Sequence, residues 1–182
     1  MKQEMGAYSD ASSGGQETAA RFTRLLQIMI GHGVLLLFMA LVAGLGLWVS
    51  LVGGFEFIPG TVTHFQIPGT PEGWAKAHRG TPMNALMVIG MALVLPHLGF
   101  AQRAQRWIAI VIVGAGWANT IFYYFGNFSA NRGLTFGPND FGHGGILSVI
   151  ALGPAYVFGV ASMVVTLYMA WKIFVPRSPG AR

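Results

Sequence analysis

The sequence predicts an all-α polytopic membrane protein with four transmembrane helices. Three observations lead there. Of 182 residues, 53% are hydrophobic and only 9% charged, where soluble domains carry roughly a quarter charged residues. Apolar runs that meet the roughly 20-residue requirement of a bilayer recur four times. None of them holds an acidic side chain, and runs of this length do not fit the short alternating strands of a membrane barrel.

Residues 1–20 are small and polar, with Ser12-Ser13-Gly14-Gly15 among them, and predict a disordered tail on the cytoplasmic side. The membrane domain then covers residues 21–175, and 176–182 form a second short tail. The first span, Leu25–Val52, is too long for a signal-peptide core and reads as a retained anchor. The others are Met83–Phe100, Trp107–Phe128 and Ile146–Phe174.

Between the first two spans, Thr70-Pro71-Glu72 has the pattern of an N-cap, a first-turn proline and a first-turn acid. A short helix is expected from there, carrying Trp74 and His78, with Pro82 at its join or kink. Residues 53–60 mix glycines with aromatics, as does the loop Asn127–Pro138. Both are expected to fold over the bundle as a lid. Ala151, Ala155 and Gly159 on the fourth span, and Gly114 and Ala118 on the third, form small-residue rows that allow close helix approach.

Lys and Arg set the orientation. Arg21, Arg24, Arg103, Arg106, Lys172, Arg177 and Arg182 lie on one side, against Lys76, Arg79 and Arg132 on the other. The positive-inside rule places both termini in the cytoplasm. The net charge of +5 is thus spread over span ends, and no basic patch with interleaved aromatics exists. Nucleic-acid binding is excluded on that ground. The absence of cysteine removes disulfides, thiolate-ligated or covalently attached haem and cysteine zinc sites. Any haem must be held non-covalently, through histidine.

Polar side chains in or beside hydrocarbon usually face protein or a cavity. His78 and Asn84 flank the mouth of the second span. His78 is either a metal or haem ligand or an interfacial histidine bonded to a carbonyl. Asn84 either orients a substrate or bonds a neighbouring helix. Asn119 and Tyr123 are four residues apart and share one face of the third span. That span runs antiparallel to the second, so Tyr123 and Asn84 are expected at similar depth. Tyr124 fits the interfacial aromatic belt better than Tyr123 does. His32 and His97 lie toward the cytoplasmic ends of the first two spans, where matching depth would suit a bis-histidine haem. No hydrolase elbow, phosphate loop or zincin motif is present.

These residues resemble the styrene oxide isomerase family, small membrane enzymes of bacterial styrene catabolism. The resemblance rests on Gly31-His32-Gly33, Leu51–Glu56, Ile58-Pro59-Gly60, Pro71–Ala75, Ala77-His78, Gly116-Trp117, Asn127-Phe128-Ser129, the long stretch Asn131–Asn139, and Pro154-Ala155-Tyr156. It implies a homotrimer of four-helix subunits in the bacterial inner membrane, with haem b between subunits. It further implies that His78 is the axial iron ligand and that Asn84 and Tyr123 lie at the substrate pocket. The implied reaction turns an aryl epoxide such as styrene oxide into an aldehyde, phenylacetaldehyde, by Lewis-acid ferric haem and a 1,2-hydride shift. The family pattern has an aspartate two residues before the tryptophan matching Trp117. Here the position is Ala115, which implies a wider, less polar pocket floor about two turns below Tyr123. Two other functions compete with this one: a bis-histidine b-type haem protein that moves electrons, and a membrane partner without cofactor or activity.

Overall fold

The structure, a computed structural model, describes residues 20–175. Apart from Ala20, the expected tails 1–20 and 176–182 lie outside the described residues. The elements are α1 (Lys2–Val52, described from Ala20), β1 (Gly54–Ile58), β2 (Thr61–His64), α2 (Pro71–Val94), α3 (Gln102–Phe128) and α4 (Ile146–Phe174). A 3-10 turn, Leu95–Leu98, continues α2. Among the described residues four helices are long and apolar enough to cross a membrane. The protein is a helical membrane protein.

The all-α architecture is as expected, and the loop after α1 adds a β-hairpin over residues 54–64. Gly54 pairs with His64 and Phe55 with Thr63 in antiparallel register, with an irregularity before Ile58 and Thr61. Gly53 ends α1 with φ +68°, a conformation that favours glycine, and its N–H donates to the carbonyl of Val49. The turn is closed by the Gly60 N–H donating to the Glu56 carboxylate. Phe55 sets its ring edge-on to Trp48 at 4.9 Å, which seats the hairpin on the end of α1.

The expected short helix and second span are one continuous helix. Thr70 caps it, its hydroxyl accepting from the Gly73 N–H at 3.1 Å, and Pro71 opens the first turn as expected. Pro82 lies inside α2 without ending it. Having no N–H, Pro82 leaves the carbonyl of His78 without its helical donor.

The helices pack in chain order, α1 on α2, α2 on α3 and α3 on α4, with α1 also touching α3. Met29, Leu36, Val88, Leu95 and Ile112 form the buried core of the first three helices. A second cluster of Ala43, Trp74 and Ala77 lies nearer the loops, with Tyr123, Tyr124 and Phe128 packed on it. From α4 Met169 is buried in the first core and Val165 packs against it. Val157, Met163, Val164, Leu167 and Phe174 of α4 are exposed, an apolar sheath suited to lipid or to other subunits. Of the small-residue rows, Gly114 receives the ring of Phe158 from α4, while Gly159 meets nothing within 4 Å.

Candidate functional site

His78 lies in the second turn of α2 on the face turned to α1. Its Nδ1 is 3.0 Å from the carbonyl oxygen of Ala40. A carbonyl only accepts, so Nδ1 carries the proton and donates, and Nε2 of the neutral ring keeps its lone pair. Gly44 makes this approach possible, since a Cβ there would fall 2.8 Å from Nδ1. Donation of one ring N–H to a backbone carbonyl is the arrangement that orients ligating histidines.

The opposite side of α2 faces α3 in a regular antiparallel register. Asn127 lies over Gly73, Tyr123 over Gly80, and Asn119 and Thr120 meet Asn84. Close approach depends on the two glycines: a Cβ on Gly80 would be 2.3 Å from the Tyr123 ring, and one on Gly73 1.8 Å from Asn127 Oδ1. Asn127 Oδ1 accepts from the Thr70 N–H at 2.8 Å, tying the start of α2 to the end of α3. Its Nδ2 is buried without a partner among the described residues.

Asn84 is buried. Its Nδ2 donates to Thr120 Oγ1 at 3.3 Å and its Oδ1 accepts from Asn119 Nδ2 at 3.4 Å. The Thr120 hydroxyl donates onward to the Gly116 carbonyl. Asn84 bonds the neighbouring helix at the level of Asn119 and Thr120, whereas Tyr123, expected at its depth, lies over Gly80, about one turn nearer the loops. Thr120 escaped the sequence reading although it follows Asn119 directly. Asn127 escaped it although Asn119, Tyr123 and Asn127 recur at intervals of four. Ala115 is 2% exposed, buried in the helix packing one turn below Asn119.

Tyr123 lines a cavity of about 620 Å³ at the loop end of the bundle. The walls come from the start of α2, the end of α3 and the 129–141 loop. No residue among those described hydrogen-bonds the Tyr123 hydroxyl. Tyr124 is not a belt residue: its hydroxyl donates to the Met39 carbonyl of α1 and its ring meets Trp74 edge-on at 5.7 Å. The loop that closes the cavity is organised by Asn131, which is fully buried. Its Nδ2 donates to the carbonyls of Thr135 and Gly137, and its Oδ1 accepts from Ser129, the Gly133 N–H and Ser148 of α4. The expected lid is therefore a fixed wall on this side of the bundle.

The other histidines differ from His78. Trp117 Nε1–H donates to His32 Nδ1 at 3.1 Å, so the neutral ring of His32 carries its proton on Nε2. That is the reverse of His78 and leaves no free lone pair for a metal. Gly33 packs against Ile89 and Ala85, which sets His32 level with Ile89. His97 lies more than two turns further on, roughly 12 Å at 1.5 Å per residue, and is exposed. The depth match needed for a bis-histidine site is absent. His64 contacts the Gly53 carbonyl in the hairpin, and His143 is an exposed loop residue. Among the described residues no group of three or more His, Asp or Glu could cage a metal ion.

Residues 25–174 match the styrene oxide isomerase family. A styrene-oxide isomerase from Pseudomonas fluorescens is 57% identical over 154 residues, spanning 85% of this chain and 90% of that protein. The match runs through all four helices and both loops that build the site. The chain belongs to the styrene oxide isomerase family.

Proposed function

We propose that the protein isomerises aryl epoxides, converting styrene oxide to phenylacetaldehyde, with haem b ligated by His78 in a homotrimer of the bacterial cytoplasmic membrane. The observation that carries this reading is the geometry of His78 in a chain of this family. Its Nδ1–H is committed to Ala40, so Nε2 is free and its direction set. One oriented histidine would suit an iron whose other ligands a porphyrin supplies. When bound, ferric haem supplies a Lewis acid that polarises the epoxide C–O bond.

The chain's own residues do the rest. Tyr123 offers the cavity a hydroxyl with no competing partner, suited to holding the epoxide oxygen. Phe122 and Phe128 line the same cavity, and their ring faces favour the positive charge that spreads from the opening benzylic carbon. Water must be kept from that charge, because it would trap it as a diol. Asn84, bonded on both sides of its amide, acts through Asn119, which it holds one turn below Tyr123. Ala115 does not line this cavity and acts on it only through the helix packing below Asn119.

Support for a site between subunits comes from α2. His78 faces α1, whereas Gly80, which receives Tyr123, points about 200° away at 100° per residue. One chain therefore presents His78 and Tyr123 on different sides of the same helix. A neighbouring copy joins them. The excess of Arg and Lys at the end away from the loops supports cytoplasmic termini.

Styrene oxide with two deuteriums on its terminal carbon tests the reaction. A 1,2-shift yields aldehyde with one deuterium on the benzylic carbon and one on the carbonyl carbon, read before solvent exchange. Diol, or aldehyde without benzylic deuterium, would overturn the proposal.

A further inference from the structure

The cavity beside Tyr123 carries charges that a neutral aryl epoxide does not need. Lys76 and Arg132 line it, against one carboxylate, Glu72. Neither cation is ion-paired among the described residues. Asn127 lines the same wall, with its Nδ2 turned into the packing against Gly69. The charged side chains of the lining are thus net cationic.

Arg132 is held there at a cost. Among the described residues it is the non-glycine residue with positive φ, at 59°. A left-handed backbone at such a residue persists where its surroundings impose it. Its N–H donates to the Ser129 carbonyl at 3.0 Å, and its guanidinium lies 4.0 Å above the ring of Phe141. Stacking fixes the plane of the guanidinium and leaves its N–H groups at the rim free to donate. The rings of Phe122 and Phe128 line the same cavity.

We propose that Lys76 and Arg132 bind the two propionate carboxylates of haem b, with Tyr123 on the same wall. This rests on the haem reading above. Haem b is an apolar disc with two carboxylates on one edge, and the cavity lining offers both kinds of partner, two cations and several aromatic rings. Its volume lies in the range of small-molecule sites. An anionic lipid headgroup offers related chemistry through its phosphate, and the test separates the two.

The test uses the purified, haem-loaded protein in detergent. Haem release to excess apomyoglobin is followed in wild type, Lys76→Gln, Arg132→Gln and Arg132→Lys. Wild type and variants are also loaded with haem dimethyl ester, which has no free carboxylates. Each Gln variant should release haem about tenfold faster, the factor within reach of one charge-assisted hydrogen bond. Arg132→Lys should recover part of the loss, and release of the ester should be unaffected by any of them. Wild-type release rates in both Gln variants would overturn the assignment. So would equal acceleration of haem and ester, which would report general loosening. Unchanged haem release with loss of copurified anionic phospholipid would overturn it in favour of a lipid site. Should Arg132→Gln fail to fold, Lys76→Gln decides, because that side chain is exposed and bonds nothing among the described residues. If His78→Ala keeps its haem, the functional reading itself fails. If His78→Ala loses haem while the Gln variants release it normally, only the propionate assignment fails.

Discussion

Gly44→Ala puts a single methyl group between α1 and His78. It would fall 2.8 Å from Nδ1 and 2.9 Å from Cε1. Ordinary carbon contacts lie at about 3.5–4.0 Å, so the ring must retreat by on the order of 0.7 Å. The Nδ1 to Ala40 oxygen distance, now 3.0 Å, then exceeds hydrogen-bond range. Losing such an orienting partner typically lowers metal affinity about 10–100-fold. Helix propensity works in the opposite direction, since alanine is favoured over glycine by about 1 kcal/mol. A loss would therefore not come from a weaker helix. Gly31→Ala is the control, on the same helix and with nothing within 4 Å. The assay is the haem-to-protein ratio and Soret position after purification. Depleted haem in Gly44→Ala with normal haem in Gly31→Ala is expected. Normal content and spectrum in Gly44→Ala would refute the role of α1 in aiming His78.

Three more predictions concern separate parts of the molecule. Tyr123→Phe should retain haem and isomerise about tenfold more slowly, the effect of a lost transition-state bond of about 1.4 kcal/mol; wild-type turnover would remove the hydroxyl from the reaction. Reporter fusions at residue 182 and beside Arg132 should report opposite sides of the membrane, the former cytoplasmic, and agreement between them would contradict the topology. Ala115→Asp should shift preference toward styrene oxide over bulkier aryl epoxides in protein with normal haem content, because the larger side chain crowds the packing below Asn119. An unchanged preference would show that this position does not tune the pocket.

The membrane architecture was readable because hydrocarbon imposes length and composition on any helix that crosses it. The fourth span is found at the residues expected, Ile146–Phe174. The start of α2 was readable from Thr70-Pro71-Glu72 because capping is local chemistry. The hairpin was not, since β1 alternates over too few residues to outweigh the glycines around it. What the histidines do was only half legible. Sequence spacing suggested that His32 and His97 match in depth, but depth depends on how α1 and α2 slide past each other, and Gly33 meets Ile89 instead. The tautomers of His32 and His78 depend on Trp117 and Ala40, more than thirty residues away in each case. No local pattern could carry that. The Asn119–Tyr123 face was legible from its spacing of four, and the same spacing extends to Asn127.

The central claim is that turnover depends on haem held by His78. Its most direct measurement is the rate of phenylacetaldehyde formation from styrene oxide by purified protein, titrated from haem-free to haem-saturated, in wild type and His78→Ala. The rate should rise in proportion to bound haem in wild type and stay at background in the variant. Full activity in haem-free protein, or in His78→Ala, would contradict the account.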